Sequence, residues 1–209
     1  MQIRATLWDF GGVLLSSPFE AFNRYEERTG LPRDFIRGLN ATNPDTNAWA
    51  KFERNEVGFD EFCDLFEAEA EAAGHRLVAR EVMPLLAGEL RPRMVEAVRR
   101  CKAAGFKTAM LTNNVVGFSN NEAPRHGGVL DLFDAIVESS KVGVRKPDPR
   151  FYELACEQLG IEPREAVFLD DLGVNLKPAK ALGMTTIKVV DPDVAIKELE
   201  AVVGVPLID

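Results

Sequence analysis

The chain has 209 residues, of which 46% are hydrophobic and 28% charged, a composition typical of a globular protein with a sizeable core. Its formal charge of -8 disfavours nucleic acid and anionic membrane surfaces as partners, because both repel an acidic protein. The three cysteines lie far apart, so neither a disulfide framework nor a paired-cysteine metal site is expected. No leader peptide or membrane-spanning apolar run is apparent, and we expect a cytoplasmic protein.

Strand and helix signals alternate along most of the chain. Short apolar runs bounded by turn residues predict buried parallel strands at residues 3–10, 107–112, 134–138, 166–169 and 185–190. Between them, apolar residues recur at helical spacing, as at Met94, Val98 and Cys101. This alternation predicts an α/β fold, a Rossmann-like doubly wound parallel sheet with helices on both faces.

Residues 16–88 interrupt this alternation. They contain helical patterns, one of which runs from Phe59 through Phe66 to Ala70, but no convincing strand. Turn residues at positions 30–32 and 43–45 separate these helices. We therefore expect a helical cap domain of residues 16–88, inserted after the first strand into an α/β core domain of residues 1–15 and 89–209.

The predicted strand ends carry acidic and polar side chains. Asp9 ends the first strand and is followed by two glycines, Thr112 ends the second strand, and Asp170 and Asp171 follow the apolar run 167–169. In an open parallel sheet, ligands collect at the carboxyl ends of the strands, so these side chains are expected to meet. Two adjacent carboxylates repel each other without a cation nearby, which favours a metal site.

The residue types at these strand ends suit phosphoryl chemistry. A carboxylate such as Asp9 can attack phosphorus only when a metal and a fixed cation neutralise the phosphoryl charge. Asp9 and Asp171, together with a backbone carbonyl, fit Mg²⁺, and Lys146 adds a point charge from a loop that two prolines stiffen. Thr112 can donate its hydroxyl to a phosphoryl oxygen, and the turn at 113–114 can offer backbone N–H groups.

Each of these motifs has an ordinary interpretation when it is taken alone. An isolated Asp9 would more often cap a turn, and residues 112–114 resemble a common turn. Lys141 is a second candidate for the fixed cation. Arg145 and His126 are expected to be surface residues with a small chance of meeting an anion or a substrate. The four motifs in order are more specific than any one of them.

The segments LWDFGGVL at 7–14, LTNN at 111–114, RKPDP at 145–149 and FLDD at 168–171 carry a resemblance to a known family. In this order they resemble the haloacid dehalogenase-like (HAD) superfamily of aspartate-nucleophile hydrolases, in the branch whose helical cap follows the first strand. Residues 111–188 are similar to the N-terminal phosphatase domain of bifunctional soluble epoxide hydrolase. The resemblance covers nearly the whole predicted core.

The resemblance implies a Mg²⁺-dependent phosphatase that forms an aspartyl-phosphate on Asp9 and acts on a small phosphorylated metabolite. The implied metal ligands are Asp9, the Gly11 carbonyl, Asp171 and, directly or through water, Asp170. The implied phosphate-binding residues are Thr112, Asn113 and Lys146. Lys146 would also neutralise the nucleophile, and Asn175 would support the loop around Asp171.

Gly11 departs from the family pattern. Active phosphatases of the superfamily usually carry a second aspartate at this position, which protonates the leaving oxygen and then deprotonates the attacking water. A positioned acid or base typically contributes about 100-fold to 10,000-fold. We therefore expect this chain to bind Mg²⁺ and phosphate but to turn over slowly, unless the leaving group is good or another group supplies the proton.

Two other functions stay open at this point. Because Gly11 removes the usual proton shuttle, the chain could be a weakly catalytic phosphate-binding module with a regulatory or interaction role. A 2-haloacid dehalogenase would use the same nucleophile, but cleavage of a carbon–halogen bond needs no metal and leaves the Asp170-Asp171 pair without a purpose. The sequence leaves the substrate and the oligomeric state undetermined.

Overall fold

A five-stranded parallel sheet lies at the centre of the computed structural model, which describes residues 2–115 and 128–208. The strands are β1 (Ala5–Trp8), β2 (Lys107–Thr112), β3 (Ala135–Glu138), β4 (Ala166–Asp170) and β5 (Thr185–Lys188). They pair in parallel in the order β3-β2-β1-β4-β5. The predicted α/β class and parallel sheet are confirmed, and every predicted strand is present.

Helices cover the sheet and fill the long connection after β1. The described helices are α1 (Phe19–Thr29), α2 (Phe35–Ala41), α3 (Ala48–Glu53), α4 (Phe59–Ala72), α5 (Ala79–Val82), α6 (Pro92–Ala103), α7 (Ser139–Val142), α8 (Pro149–Leu159), α9 (Gly173–Ala181) and α10 (Pro192–Val203). In the part of the chain that the model describes, none of them combines the length and the apolar composition needed to cross a membrane.

Successive side chains of β1 point to opposite faces of the sheet, and helices cover both faces. Trp8 packs in one cluster with Met94 and Val98 of α6 and with Ile196 of α10. Leu7 belongs to a cluster on the other face, which includes Phe151 and Tyr152 of α8. A strand buried on both sides leaves no face for charged groups, so β1 carries none, and the first carboxylate, Asp9, comes where the strand ends.

The helical insert, residues 16–88, has an apolar cluster of its own. Stacked aromatic rings lie within it: the ring centroids of Phe52 and Phe62 are 4.4 Å apart, and those of Phe62 and Phe66 are 5.5 Å apart. The insert consists of α1–α5 and short helical turns, with no strand within residues 16–88. The division of the chain into a core domain and a cap domain stays a prediction.

The two chain segments that join the insert to the sheet lie side by side. The Ser16 amide donates to the Glu89 carbonyl at 2.8 Å, and Leu15 and Leu90 form an antiparallel bridge. A side chain on Gly88 would place its Cβ 2.7 Å from the Ser16 carbonyl oxygen, so glycine is required for this close approach. The paired segments tie the beginning and the end of the insert to each other.

Candidate active site

Asp9 lies directly after β1, between the ends of β2 and β4. The register pairs Trp8 with both Met110 and Leu169, and the Asp9 amide continues the ladder by donating to the Leu169 carbonyl at 2.9 Å. The Phe10 amide donates to Asp9 Oδ1 at 2.7 Å, which fixes the carboxylate. Parallel pairing therefore places Asp9 beside Asp170, the last residue of β4.

Lys146 joins these two carboxylates. Its Nζ lies 2.7 Å from Asp9 Oδ1 and 2.7 Å from Asp170 Oδ2, and its side chain is 1% exposed. Burial alone would lower the pKa of Lys146, but Asp170 and Asp9 outweigh it and the pKa is raised, so the ammonium stays charged. Burial, with Asp170 and Asp171 nearby, raises the pKa of Asp9 well above its usual range in spite of Lys146.

Both carboxylate oxygens of Asp170 accept hydrogen bonds from protein groups. Its Oδ1 accepts from the Leu172 amide at 2.8 Å, and Asn175 Nδ2 donates to both of its oxygens at 3.0 Å. Tyr152 in turn donates its hydroxyl to the Asn175 carbonyl at 2.7 Å. A fully buried carboxylate with these partners orients Lys146, and Asn175 supports the loop at the position where the sequence predicted it.

Asp171 completes a group of three carboxylates with the composition of a magnesium site. One oxygen each of Asp9, Asp170 and Asp171 lies within 4.8 Å of the others. Burial and the neighbouring Asp170 raise the pKa of Asp171 to about 6. Three carboxylates around one ammonium leave an excess of negative charge, which a divalent cation would relieve, and carboxylate oxygens are ligands that Mg²⁺ prefers.

Gly12 shapes this group from the other side. It has a φ of 79°, and a Cβ built on it would lie 2.3 Å from Asp171 Oδ2. Only glycine permits both this backbone conformation and this contact. Gly11, in contrast, has a φ of -69° and open space at its Cβ position, so a side chain fits there.

We expect Gly12→Ala to displace Asp171 and to weaken Mg²⁺ binding about 10-fold or more. The forced left-handed alanine should also lower the free energy of unfolding by about 1–3 kcal/mol. Isothermal titration with MgCl₂ and thermal denaturation measure the two effects. Gly11→Ala is the matched control and should leave both nearly unchanged; equal losses in the two variants would contradict the assigned geometry.

The loop after β2 connects the predicted phosphate-binding residues to Lys146. Thr112 is buried at the strand end, and among the described residues no group hydrogen-bonds its hydroxyl. The Asn113 side chain clamps the Lys146 backbone, because its Oδ1 accepts from the Lys146 amide at 2.8 Å and its Nδ2 donates to the Lys146 carbonyl at 3.0 Å. The Asn113 side chain therefore positions Lys146, and its backbone N–H is the group left for a phosphoryl oxygen.

Several expectations about neighbouring residues change. The Asn114 amide donates to Ser139 Oγ at 3.0 Å, so it is not offered to an anion as predicted. Lys141 pairs with Glu138 and is 73% exposed, which leaves Lys146 as the lysine that meets Asp9. Arg145, which the sequence places at the surface, is partly buried, with 19% of its side chain exposed. His126 lies outside the described residues.

The contacts of two arginines near the site were not predicted from the sequence. Arg145 Nε lies 2.6 Å from Glu53 Oε2 on α3, which ties the loop before Lys146 to the helical insert. Arg91 Nη1 donates to the Gly12 carbonyl at 2.8 Å. Neither contact has a local signal, because each joins residues about 80 or 90 positions apart. The only hint for Arg91 was its place just before Pro92 at a helix start.

The chain is similar in sequence to several known proteins. A family model for haloacid dehalogenase-like hydrolases matches residues 3–183. The chain is 36% identical to bifunctional epoxide hydrolase 2 of Sus scrofa over 100% of its own length, but it spans only 40% of that protein. It is 31% identical to phosphatase MT3486 of Mycobacterium tuberculosis, with 88% of this chain and 86% of that protein covered.

Among solved structures, a HAD family enzyme of Bacteroides thetaiotaomicron, bt-2542, in complex with magnesium and inorganic phosphate, has the same fold. Its TM-score to this chain is 0.63 at 19% identity, and the match covers 89% of this chain and 93% of that one. At this identity the likeness concerns the fold.

Proposed function

Since this chain belongs to the haloacid dehalogenase-like hydrolase family, we propose that it is a Mg²⁺-dependent phosphomonoesterase that reacts through Asp9. The observation that carries the proposal is the buried arrangement of Asp9, Lys146 and Asp170 with Asp171 beside it, at the carboxyl ends of the strands. The phosphatase of M. tuberculosis named above supports the same reaction class. The substrate would be a small phosphorylated metabolite.

In this mechanism Asp9 is the nucleophile. Its Oδ1 is held by Lys146 and the Phe10 amide, which leaves Oδ2 to attack phosphorus. The bond from phosphorus to the ester oxygen breaks, and the electron pair departs with that oxygen, which takes a proton from water. Water then attacks the phosphorus of the aspartyl-phosphate, which releases phosphate and restores the carboxylate.

The other groups position and neutralise the phosphoryl group. The Thr112 hydroxyl and the Asn113 backbone N–H would bind its oxygens, and Lys146 would balance the charge that Asp9 and the phosphoryl group share. Asp9, Asp171 and the Gly11 carbonyl would hold Mg²⁺, which supplies charge neutralisation to the transferring group when it is bound. We assign Asp170 to orienting Lys146, because protein groups already engage both of its oxygens.

We propose that the helical insert caps this site. Arg145 contacts the insert at two points, Glu53 and the Pro44 carbonyl, the latter at 2.6 Å. The paired segments at residues 15–16 and 89–90 hold the beginning and the end of the insert together. An insert fixed at both places would exclude bulk water from the reaction and select the substrate.

The proposal is tested by phosphate release from an aryl phosphate, whose leaving group needs no acid, with MgCl₂ and with EDTA. Release that depends on the metal supports a phosphatase, and a panel of phosphorylated metabolites then identifies the substrate class. Equal release in MgCl₂ and EDTA, or none with any substrate while phosphate and Mg²⁺ bind, would overturn it. The second result would favour the binding-module alternative, which Gly11 motivates.

Gly11→Asp is expected to raise turnover, because an aspartate at this position would supply the proton for the leaving oxygen. The space at the Gly11 Cβ position and its φ of -69° accommodate the side chain. The gain should approach about 100-fold on alkyl phosphates, whose leaving groups are poor, and should be smaller on aryl phosphates. Steady-state kinetics on both substrates measure it, and a folded variant with no gain on the alkyl phosphate would contradict the assigned role of Gly11.

A further inference from the structure

We propose that Arg91 is a positioning residue for the magnesium site, and this inference rests on the proposed function. The Arg91 guanidinium donates through Nη1 to the Gly12 carbonyl at 2.8 Å, over a separation of 79 residues. Among the described residues, no other side chain hydrogen-bonds that carbonyl. Arg91 does not touch the substrate position and acts through the backbone of the glycine turn.

The anchored peptide lies between two of the proposed ligands. On one side of Gly12 lies Gly11, whose carbonyl is a proposed ligand. On the other side lies the Asp171 carboxylate, because a Cβ on Gly12 would be 2.3 Å from Asp171 Oδ2. Gly12 has a φ of 79°, and glycine has no intrinsic preference for this region over several others. A hydrogen bond to its carbonyl selects the observed conformation, and this conformation sets the direction of the Gly11 carbonyl.

Arg91 is well placed to act as a rigid donor. Its own amide donates to the Leu14 carbonyl at 2.8 Å, and Leu90 next to it bridges Leu15. Arg91 also precedes the first residue of α6, which packs on the sheet, and its carbonyl accepts from the Val95 amide at 3.1 Å. Both ends of the turn that leaves β1 are thus tied to the same short segment, and hydrogen bonds that orient ligands typically change metal affinity about 10-fold to 100-fold when they are removed.

The direction of the change in Mg²⁺ affinity distinguishes a positioning role of Arg91 from an effect of its charge alone. Arg91 carries a positive charge near Asp171, and it opposes the rise in the pKa of that carboxyl. Loss of this charge alone would make the site more negative and would strengthen the binding of a cation. Weaker Mg²⁺ binding after removal of the guanidinium therefore reports the loss of geometry.

The test is isothermal titration of MgCl₂ into wild type, Arg91→Met, Arg91→Lys and Arg93→Met. Methionine keeps most of the aliphatic part of the side chain but removes the hydrogen-bond donor and the charge. Lysine keeps a charged donor but lacks the planar guanidinium. Arg93, on the same helix, forms an exposed ion pair with Asp193 and is the matched control. We expect the Kd for Mg²⁺ to rise about 10-fold or more in Arg91→Met and less in Arg91→Lys, and to stay unchanged in Arg93→Met.

An unchanged or lower Kd in Arg91→Met, or an equal rise in Arg93→Met, would overturn the proposal and leave the proposed function intact. If Arg91→Met does not fold, Arg91→Lys and Arg91→Gln replace it. A Kd for Mg²⁺ equal to that of the wild type in both of these variants overturns the role of Arg91. Absence of Mg²⁺ binding in the wild type overturns the metal site itself, and the role of Arg91 with it.

Discussion

Asp9→Asn is expected to lower metal-dependent phosphate release by on the order of 1000-fold or more, because an amide cannot form the aspartyl-phosphate. Asparagine has nearly the same shape, and its carbonyl oxygen can still accept from Lys146 and the Phe10 amide, as Asp9 Oδ1 does. The substitution also removes one buried negative charge from the cluster formed by Asp9, Asp170 and Asp171. We therefore expect the variant to fold with unchanged or higher stability.

Two measurements check this result. Phosphate release from an aryl phosphate gives the rate, and mass spectrometry of acid-quenched wild-type enzyme should find one phosphoryl group on the peptide that contains Asp9. Thermal denaturation confirms that the variant is folded. Turnover by Asp9→Asn within about 10-fold of the wild type would remove Asp9 as the nucleophile, and a phosphoryl group on another residue would do the same.

Lys146→Met is expected to cost both activity and stability. The ammonium lies 2.7 Å from two buried carboxylate oxygens, and breaking a buried ion pair from one side leaves uncompensated charge, which costs about 3–5 kcal/mol. Loss of the fixed cation should also lower turnover by about 100-fold or more. Urea denaturation in EDTA, where Mg²⁺ cannot compensate for the missing charge, measures the stability of both proteins.

The pH dependence follows from the direction of the Lys146 pKa shift. Because the folded-state pKa is raised above the usual 10.5, the stabilisation is complete below that pH and is lost only as the pH rises through the folded-state pKa. Lys146 therefore stays charged around neutral pH, and its own titration does not change the stability difference between wild type and Lys146→Met there. Lys197→Met, at an exposed position of α10, is the control, with a change of about 0.5 kcal/mol or less. If the free energy of unfolding falls no further in Lys146→Met than in Lys197→Met, the stabilising role of the buried Lys146 ammonium is contradicted.

The main features of the site could be predicted because they depend on short stretches of chain. An apolar run that ends in Asp9 and another that ends in Asp170 are both readable locally, and parallel pairing brings such ends to one edge of the sheet. The same logic identified Thr112 and the separate helical insert. These predictions needed only strand and helix periodicity, which is a local property of the sequence.

The roles of individual polar groups could not be predicted in the same way. Nothing in the sequence indicates that the Asn113 side chain clamps the Lys146 backbone, or that both oxygens of Asp170 accept from protein groups. These assignments depend on differences of a few tenths of an ångström in the distances between polar atoms of segments that are far apart in the chain. Periodicity carries no information at that scale.

The sequence by itself determined the parallel α/β sheet, the helical insert and the group of residues at the strand ends, because hydrophobic patterning and strand order are sufficient for these features. Only the tertiary structure decided that Lys146, the lysine that the sequence favoured, lies between Asp9 and Asp170, that Arg145 contacts the insert, and that Arg91 holds the glycine turn. Each of these contacts joins residues far apart in the chain. Their geometry is fixed by how the helices pack on the sheet, which no local pattern of residues encodes.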